Sequence, residues 1–534
     1  MALYRNLVVL MLIALTALTA CSGSIEDGVP TLHRSLPAEP ESLDPHKARS
    51  IQAADVLRDI GEGLVGYSAS GELVPAAAER WQVSDDGKKY TFFLREDARW
   101  SNGDPLLAEH FVFSLRRLVA PETAAFYATM LADVVNAADI VAGTQPPEAL
   151  GVEATDERTL VLRLDRPTPY ILSLLTHPST FPVHPPSVEQ WGDAFARPEK
   201  LLSNGAYVLQ SWSPGSNLRV RRNSAYWNDA GTAIDAVTYH VIVQPAAELN
   251  RYRAGELHVT SSVPPDSFQA VTEEYADELR VWPTLGVYYF GFNLTRPPFE
   301  GAAALRQALS MAIDRELLAD RIVGRGEAPA YSWVPPGVAN YSPPVMSFAA
   351  LTQDERNAIA RRLYAEAGYG PDNPLTVEVR YNTSDTNKRI AVAVQSMWRD
   401  VLGVAATLIN EEFQVLIANV RAREITQVFR ASWLGDYNDA HTFLSVMLSN
   451  ASANTPGYAS EEFDSLMRRA AGQPDLDRRR LYLEEAERVL LADHVVIPLY
   501  FYVSKHLVSP NVSGWGDNVL DYHYSQHLSL NATE

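Results

Sequence analysis

Helical and strand-like patterns of apolar residues alternate most regularly between residues 352 and 431. Thr352 and Glu355 have the spacing of a capping box, which predicts that a helix begins there. Beyond it, the apolar spacing changes repeatedly between the helical period and the strand period of about two. The predicted helices and strands, in turn, cover residues 352–367, 375–381, 388–402, 404–409, 413–421 and 425–431. This order predicts a parallel sheet with right-handed crossovers, and ligands bind at the carboxyl ends of such strands.

The segment from Phe429 to Asp439 follows the last of these strands and is predicted to lead into a loop. It contains a guanidinium (Arg430), a large aromatic ring (Trp433) and two carboxylates (Asp436 and Asp439). A carboxylate and a guanidinium held there suit the two charged ends of a small zwitterion. The alternative is a surface turn with a solvated salt bridge, which contributes little. The position of Asp436 at the edge of the sheet favours the binding site.

The rest of the chain contains both kinds of element. Aromatic and β-branched runs between Gly, Pro and Asn turns predict strands at 90–95, 159–164, 206–212, 218–222, 237–243, 287–292 and 495–503. The helical period predicts helices at 51–61, 107–119, 247–255, 306–323, 460–471 and 476–491. Four prolines between His177 and Pro186 predict a break in regular structure, which we interpret as a crossing between domains. The chain is therefore predicted to be an α/β protein.

The length and charge of the chain narrow its class. Its 534 residues exceed what one hydrophobic core supports, so we expect two or three domains. A content of 46% hydrophobic and 21% charged residues is typical of a soluble globular protein. The formal net charge of −20 argues against nucleic acid or an anionic membrane surface as partner, because both bind basic patches.

The first residues have the pattern of an export signal. Met1–Arg5 carries one positive charge and precedes the apolar run Leu7–Leu18, which is too short for a stable membrane span. Leu18-Thr19-Ala20-Cys21 resembles a bacterial lipobox, so we expect lipidation of Cys21, the only cysteine of the chain. The alternative is an ordinary signal peptide that a cysteine follows by chance. Acyl chains on Cys21 would tether the exported protein to a membrane.

No catalytic motif accompanies these features. The sequence has no Gly-x-Ser-x-Gly elbow, Walker loop, Rossmann fingerprint or His-Glu-x-x-His motif. His523 and His527 have the spacing of a metal-binding pair, but nothing around them predicts a helix, and surface histidines are the simpler interpretation. We therefore expect neither an enzyme nor a bound metal or other cofactor. An exported peptidase or esterase stays the alternative.

A series of short motifs runs in order along nearly the whole mature chain. Each is a weak turn signal by itself, and the specificity lies in their order and spacing. They are Ser42-Leu43-Asp44-Pro45-His46-Lys47, Arg99-Trp100-Ser101-Asn102-Gly103-Asp104-Pro105, His177-Pro178-Ser179-Thr180, Asn204-Gly205-Ala206-Tyr207, Asn250-Arg251-Tyr252-Arg253, Tyr381-Asn382-Thr383-Ser384-Asp385 and Met447-Leu448-Ser449-Asn450. With this series the chain resembles the family 5 bacterial extracellular solute-binding proteins, the receptors of peptide ABC importers.

The resemblance implies a three-domain α/β fold of the periplasmic-binding-protein type (type II, cluster C). Domains I and III would be lobes that close over the ligand, and domain II would be an additional α/β domain. The implied boundaries are 1–20 for the signal peptide, 21–61, 187–287 and 504–534 for domain I, 62–186 for domain II, and 288–503 for domain III.

The resemblance also implies a peptide-binding site. It places Asp436 at the α-ammonium of a bound peptide, because a desolvated ammonium needs a carboxylate. It places Arg430 and Arg421 near the peptide carboxylate. The extended peptide backbone would pair with the protein main chain, and roomy, hydrated pockets would accept varied side chains. The other residues assigned to the site are Ile51, Tyr127, Tyr288, Asn387, Phe413, Trp433, Gly435, Tyr500 and Tyr502. For the tyrosines and the tryptophan, core packing is the alternative role.

Three positions depart from the family's pattern. Arg49 stands where close relatives have Glu, Asn387 replaces a histidine, and Phe413 replaces a tryptophan. These changes put the preferred peptide length and the recognition of the peptide carboxylate in doubt, but they leave Asp436 in place.

The implied function is that of a lipid-anchored periplasmic receptor that captures short oligopeptides. It would deliver them to an ABC permease driven by separate ATPase subunits, after the lobes close on the ligand. The family implies a monomer, with no nucleic acid as partner. Alternatives in the same fold are receptors for dipeptides, murein tripeptide, haem or nickel, and chaperone-like binding of unfolded chains.

Overall fold

The computed structural model describes residues 29–531, which form a multi-domain α/β protein, as predicted. Three sheets of four to six strands each carry a large hydrophobic core. The predicted signal peptide and Cys21 lie outside the described residues. Within residues 29–531, none of the helices has both the length and the apolar character needed to cross a bilayer.

The first sheet joins the beginning of the described chain to strands that come much later. In spatial order its strands are Thr31–Leu36, Ala236–Val241, Asn217–Arg222 and Tyr207–Ser213. The first pair is parallel and the others are antiparallel. Its core includes Leu43 from near the start and Val508 and Leu528 from near the end of the chain. The helices Ile51–Ile60, Pro245–Arg253 and Phe268–Glu274 accompany this part.

The second sheet is antiparallel and is built from one continuous stretch of chain. Its strands, in spatial order, are Ala78–Val83, Lys89–Leu94, Thr159–Arg163 and Val152–Ala154. The helix Ala108–Val119 places Phe111, Leu115 and Leu118 in its core, as the helical period predicts. The shorter helices of this part are Ala137–Val141, Ile171–Leu174 and Pro185–Trp191.

The third sheet has six strands of mixed direction. Their spatial order is Ala328–Pro329, Val496–Leu507, Leu279–Phe292, Val428–Leu434, Thr376–Asn382 and Ala405–Glu411. Only the last three form the predicted parallel pairs, and the remaining pairs are antiparallel. The surrounding helices are Ala303–Met311, Gln353–Glu366, Asp385–Leu402, Phe413–Ala422, His441–Leu444, Glu461–Ala471 and Leu476–Ala492.

Two long antiparallel strands connect the first and third cores. Leu279–Phe292 and Val496–Leu507 pair along most of their length, with shifts in register between Pro283 and Val287 and between Tyr288 and Tyr289. Leu507 packs with the apolar cluster near the first sheet, whereas Tyr288 and Tyr500 belong to the core of the third sheet. These strands therefore run from one core to the other. The domain boundaries implied by the family resemblance stay a prediction.

Three predicted elements differ from the structure. The strand expected at 425–431 is Val428–Leu434, so Arg430 and Trp433 lie within the strand and not in a loop. The helix expected at 306–323 ends at Met311, because Asp314 starts a new turn by accepting the N–H of Leu317 at 2.8 Å. The proline-rich segment is irregular only in part. Pro185 begins a helix, where its missing N–H costs no hydrogen bond.

A buried carboxyl group in the third core gives a pH dependence of stability. One oxygen of Glu487 accepts the N–H groups of Trp333 and Val334 at 2.7 and 2.8 Å, and the other lies 2.5 Å from the hydroxyl of Tyr341. Burial raises the pKa of Glu487 from 4.5 to about 8. Between these values the folded chain keeps a proton that the unfolded chain has released. This contribution to the free energy of unfolding therefore falls as pH rises through that window.

The substitution Glu487→Gln should flatten this dependence, because the amide keeps the acceptor for both N–H groups and does not titrate. We expect the free energy of unfolding by urea to fall less between about pH 5 and pH 8 in this variant than in the unsubstituted chain. Glu485→Gln, an exposed change on the same helix, is the control and should follow the unsubstituted chain. Equal pH slopes for all three proteins would contradict the prediction.

Candidate functional site

A cleft of about 440 Å³ lies where segments of all three cores meet. This volume is in the range of small-molecule binding sites. One wall is the start of the helix Ile51–Ile60, and another contains Tyr127 and His177. The remaining walls are the segment Leu434–Asp436 and two connecting segments, Thr284–Leu285 and Val519–Tyr522. Four of the predicted site residues line this cleft: Ile51, Tyr127, Gly435 and Asp436.

Asp436 is held at the cleft by the residues on both sides of it. Gly435 donates its N–H to the carbonyl of Leu285 at 2.7 Å. A Cβ atom at Gly435 would lie 3.0 Å from the ring of Phe443, so a side chain would crowd this contact. Asp436 donates its N–H to the hydroxyl of Thr442 at 3.1 Å, and this hydroxyl donates to the Asp436 carboxylate at 3.4 Å. These contacts fix the backbone at Asp436, and the longer hydrogen bond from Thr442 orients the carboxylate only weakly.

The carboxylate of Asp436 has no basic partner among residues 29–531. Its side chain is exposed toward the cleft, although the surrounding protein removes part of its hydration. This partial burial raises the pKa of Asp436, and the hydrogen bond from Thr442 opposes the shift. A partly desolvated anion without a cation is suited to bind a positively charged group.

A second group of predicted residues comes together farther back along the same strand. The guanidinium carbon of Arg430 lies 4.6 Å from the ring centre of Tyr288. Arg430 also donates to Asn382 and to the hydroxyl of Tyr502, both at 3.3 Å. Tyr288 stacks on Tyr500 with ring centres 4.7 Å apart, because the two are paired across the long strands. The hydroxyl of Tyr288 donates to Asn387 at 3.1 Å.

Arg430 has no carboxylate partner in the described part of the chain, and its buried Nε makes no hydrogen bond there. Its neighbours are neutral phenols and amides, which stabilise the cation only weakly. A negatively charged group brought to Arg430 would therefore meet no competing protein carboxylate.

The backbone between Arg430 and Asp436 has one unpaired edge. On one side, the whole strand Val428–Leu434 pairs with Gly286–Phe292. On the other side, only Val428 and Phe429 pair with the neighbouring strand, and none of the described strands pairs with residues 430–434 there. The free N–H and C=O groups of this edge can accept an additional extended chain.

The remaining predicted residues lie outside the cleft. Trp433 pairs with Val287, and the alternation of a strand places it on the face opposite to Arg430. Phe413 and Arg421 are exposed at the two ends of the helix Phe413–Ala422. The contact of all twelve residues with a ligand stays a prediction.

Asp439, the second carboxylate of the segment, has a structural role. Its oxygens accept two hydrogen bonds from Arg479, at 2.7 and 2.8 Å, and both side chains are largely buried. Asp439 also accepts the N–H of His441 at 2.8 Å. The neighbouring ring of Tyr437 stacks on Tyr170 from the second core, with ring centres 4.8 Å apart.

Sequence reasoning missed a charged pair in the cleft. Asp55 and Arg58, separated by one helical turn, form an ion pair at 3.0 Å. The guanidinium of Arg58 lies 3.5 Å from the ring centre of Tyr522, far away in the sequence. Both Asp55 and Arg58 line the cleft, as does Arg49. The available signal was an acidic and a basic residue one helical turn apart on the predicted helix.

The interpretation of His523 and His527 as two separate surface histidines is incomplete. His527 contacts the carbonyl of Tyr67 at 3.1 Å and does not belong to a group of possible metal ligands among the described residues. His523 instead lies beside His506 and Asp521, and these three offer their ligand atoms within 4.8 Å of one another. The sequence could not show this group, because two of its members lie 17 residues apart on different elements.

Comparison with known proteins places the chain in a family. The family model described as "Bacterial extracellular solute-binding proteins, family 5 Middle" matches residues 72–455. The chain belongs to the family 5 bacterial extracellular solute-binding proteins. It is 38% identical over 504 residues to the periplasmic oligopeptide-binding protein OppA of Escherichia coli K12, with 94% of this chain and 92% of that protein covered. It is 37% identical to the periplasmic murein peptide-binding protein MppA of the same strain, with 95% of both chains covered.

Solved structures of family 5 relatives agree with the fold. The unliganded open form of the murein tripeptide-binding protein MppA superposes with a TM-score of 0.89, at 36% identity, covering 94% of this chain and 98% of that one. Haemophilus influenzae OppA in complex with the peptide RPPGFSPFR gives a TM-score of 0.73, at 38% identity, covering 95% and 100%. The family and these relatives are solute-binding proteins and not enzymes. Of these two structures, the open and unliganded one superposes with the higher TM-score.

Proposed function

We propose that this chain is a periplasmic receptor that captures short peptides and delivers them to an ABC permease driven by separate ATPase subunits. The observation that carries the proposal is the strand edge at residues 430–434, which has no partner strand among the described residues and lies between an unpaired cation and an unpaired anion. A peptide has the matching parts in the matching order: an ammonium, an extended polar backbone and a carboxylate.

Each of the three parts of the site would bind a different part of the peptide. Asp436 binds the α-ammonium, and the free strand edge binds the peptide backbone without reading its side chains. Arg430, with Tyr502 and Asn382 around it, receives the carboxylate of a peptide long enough to reach it. Arg421 is too exposed to be a fixed partner and would act on longer peptides. Ligand-driven closure brings Ile51 and Tyr127 against the bound peptide.

The anchoring of the protein follows from its first residues. We propose that cleavage after residue 20 and lipidation of Cys21 leave the receptor tethered to a bacterial membrane, as a monomer. The peptide-binding relatives named above support the periplasmic location, and the lipobox pattern supports the anchor.

Native mass spectrometry of the protein purified from membranes tests these statements together. We expect a monomer whose mass includes acyl chains on Cys21 and a heterogeneous set of bound peptides of about two to five residues. Cys21→Ala should lose the acyl chains and keep the peptides. A protein without bound peptides that also fails to take up added ones would contradict the proposed function.

A narrower receptor is the second candidate, because the chain resembles a relative named for murein peptide as strongly as it resembles OppA. The same spectra separate the two. One defined bound compound supports the narrower receptor, whereas a mixture of peptides supports the broad one. Cleavage of added peptides would support an exported peptidase instead.

A further inference from the structure

His506, Asp521 and His523 converge at the edge of the cleft. The Nε2 atoms of His506 and His523 lie 2.8 and 3.1 Å from the same carboxylate oxygen of Asp521. Asp521 itself lines the cleft. No other group of three such residues with converging ligand atoms occurs within residues 29–531.

The two rings are held in place by other contacts. Nδ1 of His506 contacts the carbonyl of Thr260 at 2.8 Å, so this nitrogen carries a proton and donates it. Nε2 lies against the Asp521 carboxylate and carries a proton there, so an incoming metal ion would release this proton to solvent and take its place. With Nδ1 donating to a carbonyl, the ring then has the orientation common to metal-binding histidines. The ring of His523 is stacked on Trp515, with ring centres 3.6 Å apart.

The spacing of the three ligand atoms fits a transition-metal ion. Zinc binds histidine nitrogen and carboxylate oxygen at about 2.0–2.2 Å, which places neighbouring ligand atoms roughly 3.4 Å apart in a tetrahedral site. The present separations, from 2.8 Å to at most 4.8 Å, bracket this value. Two histidines and a carboxylate leave further coordination positions open, and the exposed third of the Asp521 side chain shows that water reaches this side.

The nearby charges and the ligand atoms determine which metal ion these three residues would prefer. The carboxylate of Asp55 lines the same cleft but is already paired with Arg58. Arg34 donates to the backbone carbonyl of His523 at 2.7 Å and opposes a cation. One carboxylate and two imidazoles, neutral once a metal ion has displaced their Nε2 protons, favour a borderline divalent ion over the hard ions calcium and magnesium, which select oxygen ligands.

We propose that His506, Asp521 and His523 form a binding site for one divalent transition-metal ion at the edge of the cleft. The site is separate from Asp436 and Arg430 and does not depend on the proposed peptide function. It also revises the expectation that the chain binds no metal, which rested on the absence of metal-binding motifs and on the lack of a helix around His523 and His527.

Calorimetric titration of Zn²⁺ into the full chain, stripped with a chelator and free of peptide, tests the proposal. We expect one Zn²⁺ per chain, and Co²⁺ in its place should give visible absorption bands of a low-coordinate site. His523→Asn should weaken Zn²⁺ binding by more than about tenfold, the smallest loss expected even for changes outside the ligand shell. Asp521→Asn should weaken Zn²⁺ binding by a similar factor. This variant replaces His523→Asn in the test if circular dichroism shows that His523→Asn is unfolded.

The control is His258→Asn, because His33, His240 and His258 form a second histidine cluster with rings stacked 5.2 and 5.5 Å apart. In that cluster Nδ1 of His258 already accepts the N–H of His33 at 3.0 Å. We expect His258→Asn to bind Zn²⁺ like the unsubstituted chain. No binding by the unsubstituted chain, or a loss in His258→Asn without a loss in His523→Asn, would overturn the proposal.

Discussion

Asp436→Asn is expected to weaken peptide binding by about 2–5 kcal/mol at neutral pH, the cost of removing one partner from a desolvated charge pair. The substitution keeps the size of the side chain and an oxygen acceptor for the hydroxyl of Thr442. It removes only the negative charge that the proposed ammonium requires. Isothermal titration calorimetry with tri-alanine measures the change in affinity.

A double-mutant cycle makes this test specific for the ammonium. N-acetylation of tri-alanine removes the positive charge of the ligand and should weaken binding to the unsubstituted chain by a similar amount. Acetylation should then have little further effect on Asp436→Asn, since the interaction is already lost. Asp372→Asn, an exposed change in a turn away from the cleft, is the matched control and should bind like the unsubstituted chain. Fully additive losses would show that Asp436 does not contact the ammonium.

Asp439→Asn is expected to lower the free energy of unfolding by about 3–5 kcal/mol, because it leaves the guanidinium of Arg479 buried without a counter-charge. Arg479 and Asp439 expose only 7% and 15% of their side chains, so solvent screens their interaction little. Urea unfolding followed by circular dichroism measures the change. Below the unfolding transition, the variant should still bind peptide, which separates it from Asp436→Asn.

Two further variants test the cause of this loss. Asp477→Asn changes an aspartate of the neighbouring helix whose side chain is 80% exposed and lies 3.7 Å from Arg480, and it should stay within about 0.5 kcal/mol of the unsubstituted chain. Adding Arg479→Met to Asp439→Asn removes the unpaired charge and should restore part of the stability. A double variant less stable than Asp439→Asn would contradict this explanation.

The sequence predicted best those elements whose local signals agree with their burial. The capping box at Thr352 starts a helix in the structure, and the predicted strand at 375–381 and helix at 388–402 lie within a few residues of Thr376–Asn382 and Asp385–Leu402. In each case the apolar period coincides with the face that packs into the third core.

Features that depend on distant partners were predicted less well. The strand Val428–Leu434 extends through Trp433 because Gly286–Phe292 pairs with it, and no local pattern records that partner. The break at Met311 follows from the capping by Asp314 and from Arg315, a buried arginine that donates to the carbonyls of Ala330 and Pro498 at 3.0 and 2.8 Å. A charged residue on an apolar stripe is typical of an exposed helix turn, so its burial was not foreseen.

The residues of the candidate site also differ in how far the sequence could predict their surroundings. Asp436 could be placed at a strand end from the order of elements alone. That no basic side chain of residues 29–531 pairs with it became visible only when the surrounding side chains were in place. The group of His506, Asp521 and His523 forms because the chain leads back to the first core after the long strand. No local pattern of apolar residues predicts which distant segments meet in this way.

For the proposed peptide receptor, the free strand edge also has a consequence for the stage of binding at which peptide length matters. Arg430 and Asp436 belong to one strand and the turn after it, about 20 Å apart along the backbone at the usual rise per residue. Both belong to the part of the chain built on the third core, so their separation would not change in the proposed closure. In the proposed receptor, a peptide would therefore be compared with this fixed span before closure. We expect ligand length to alter the association and dissociation rates of the open form, and the rate of lobe closure to be nearly the same for every peptide that fits.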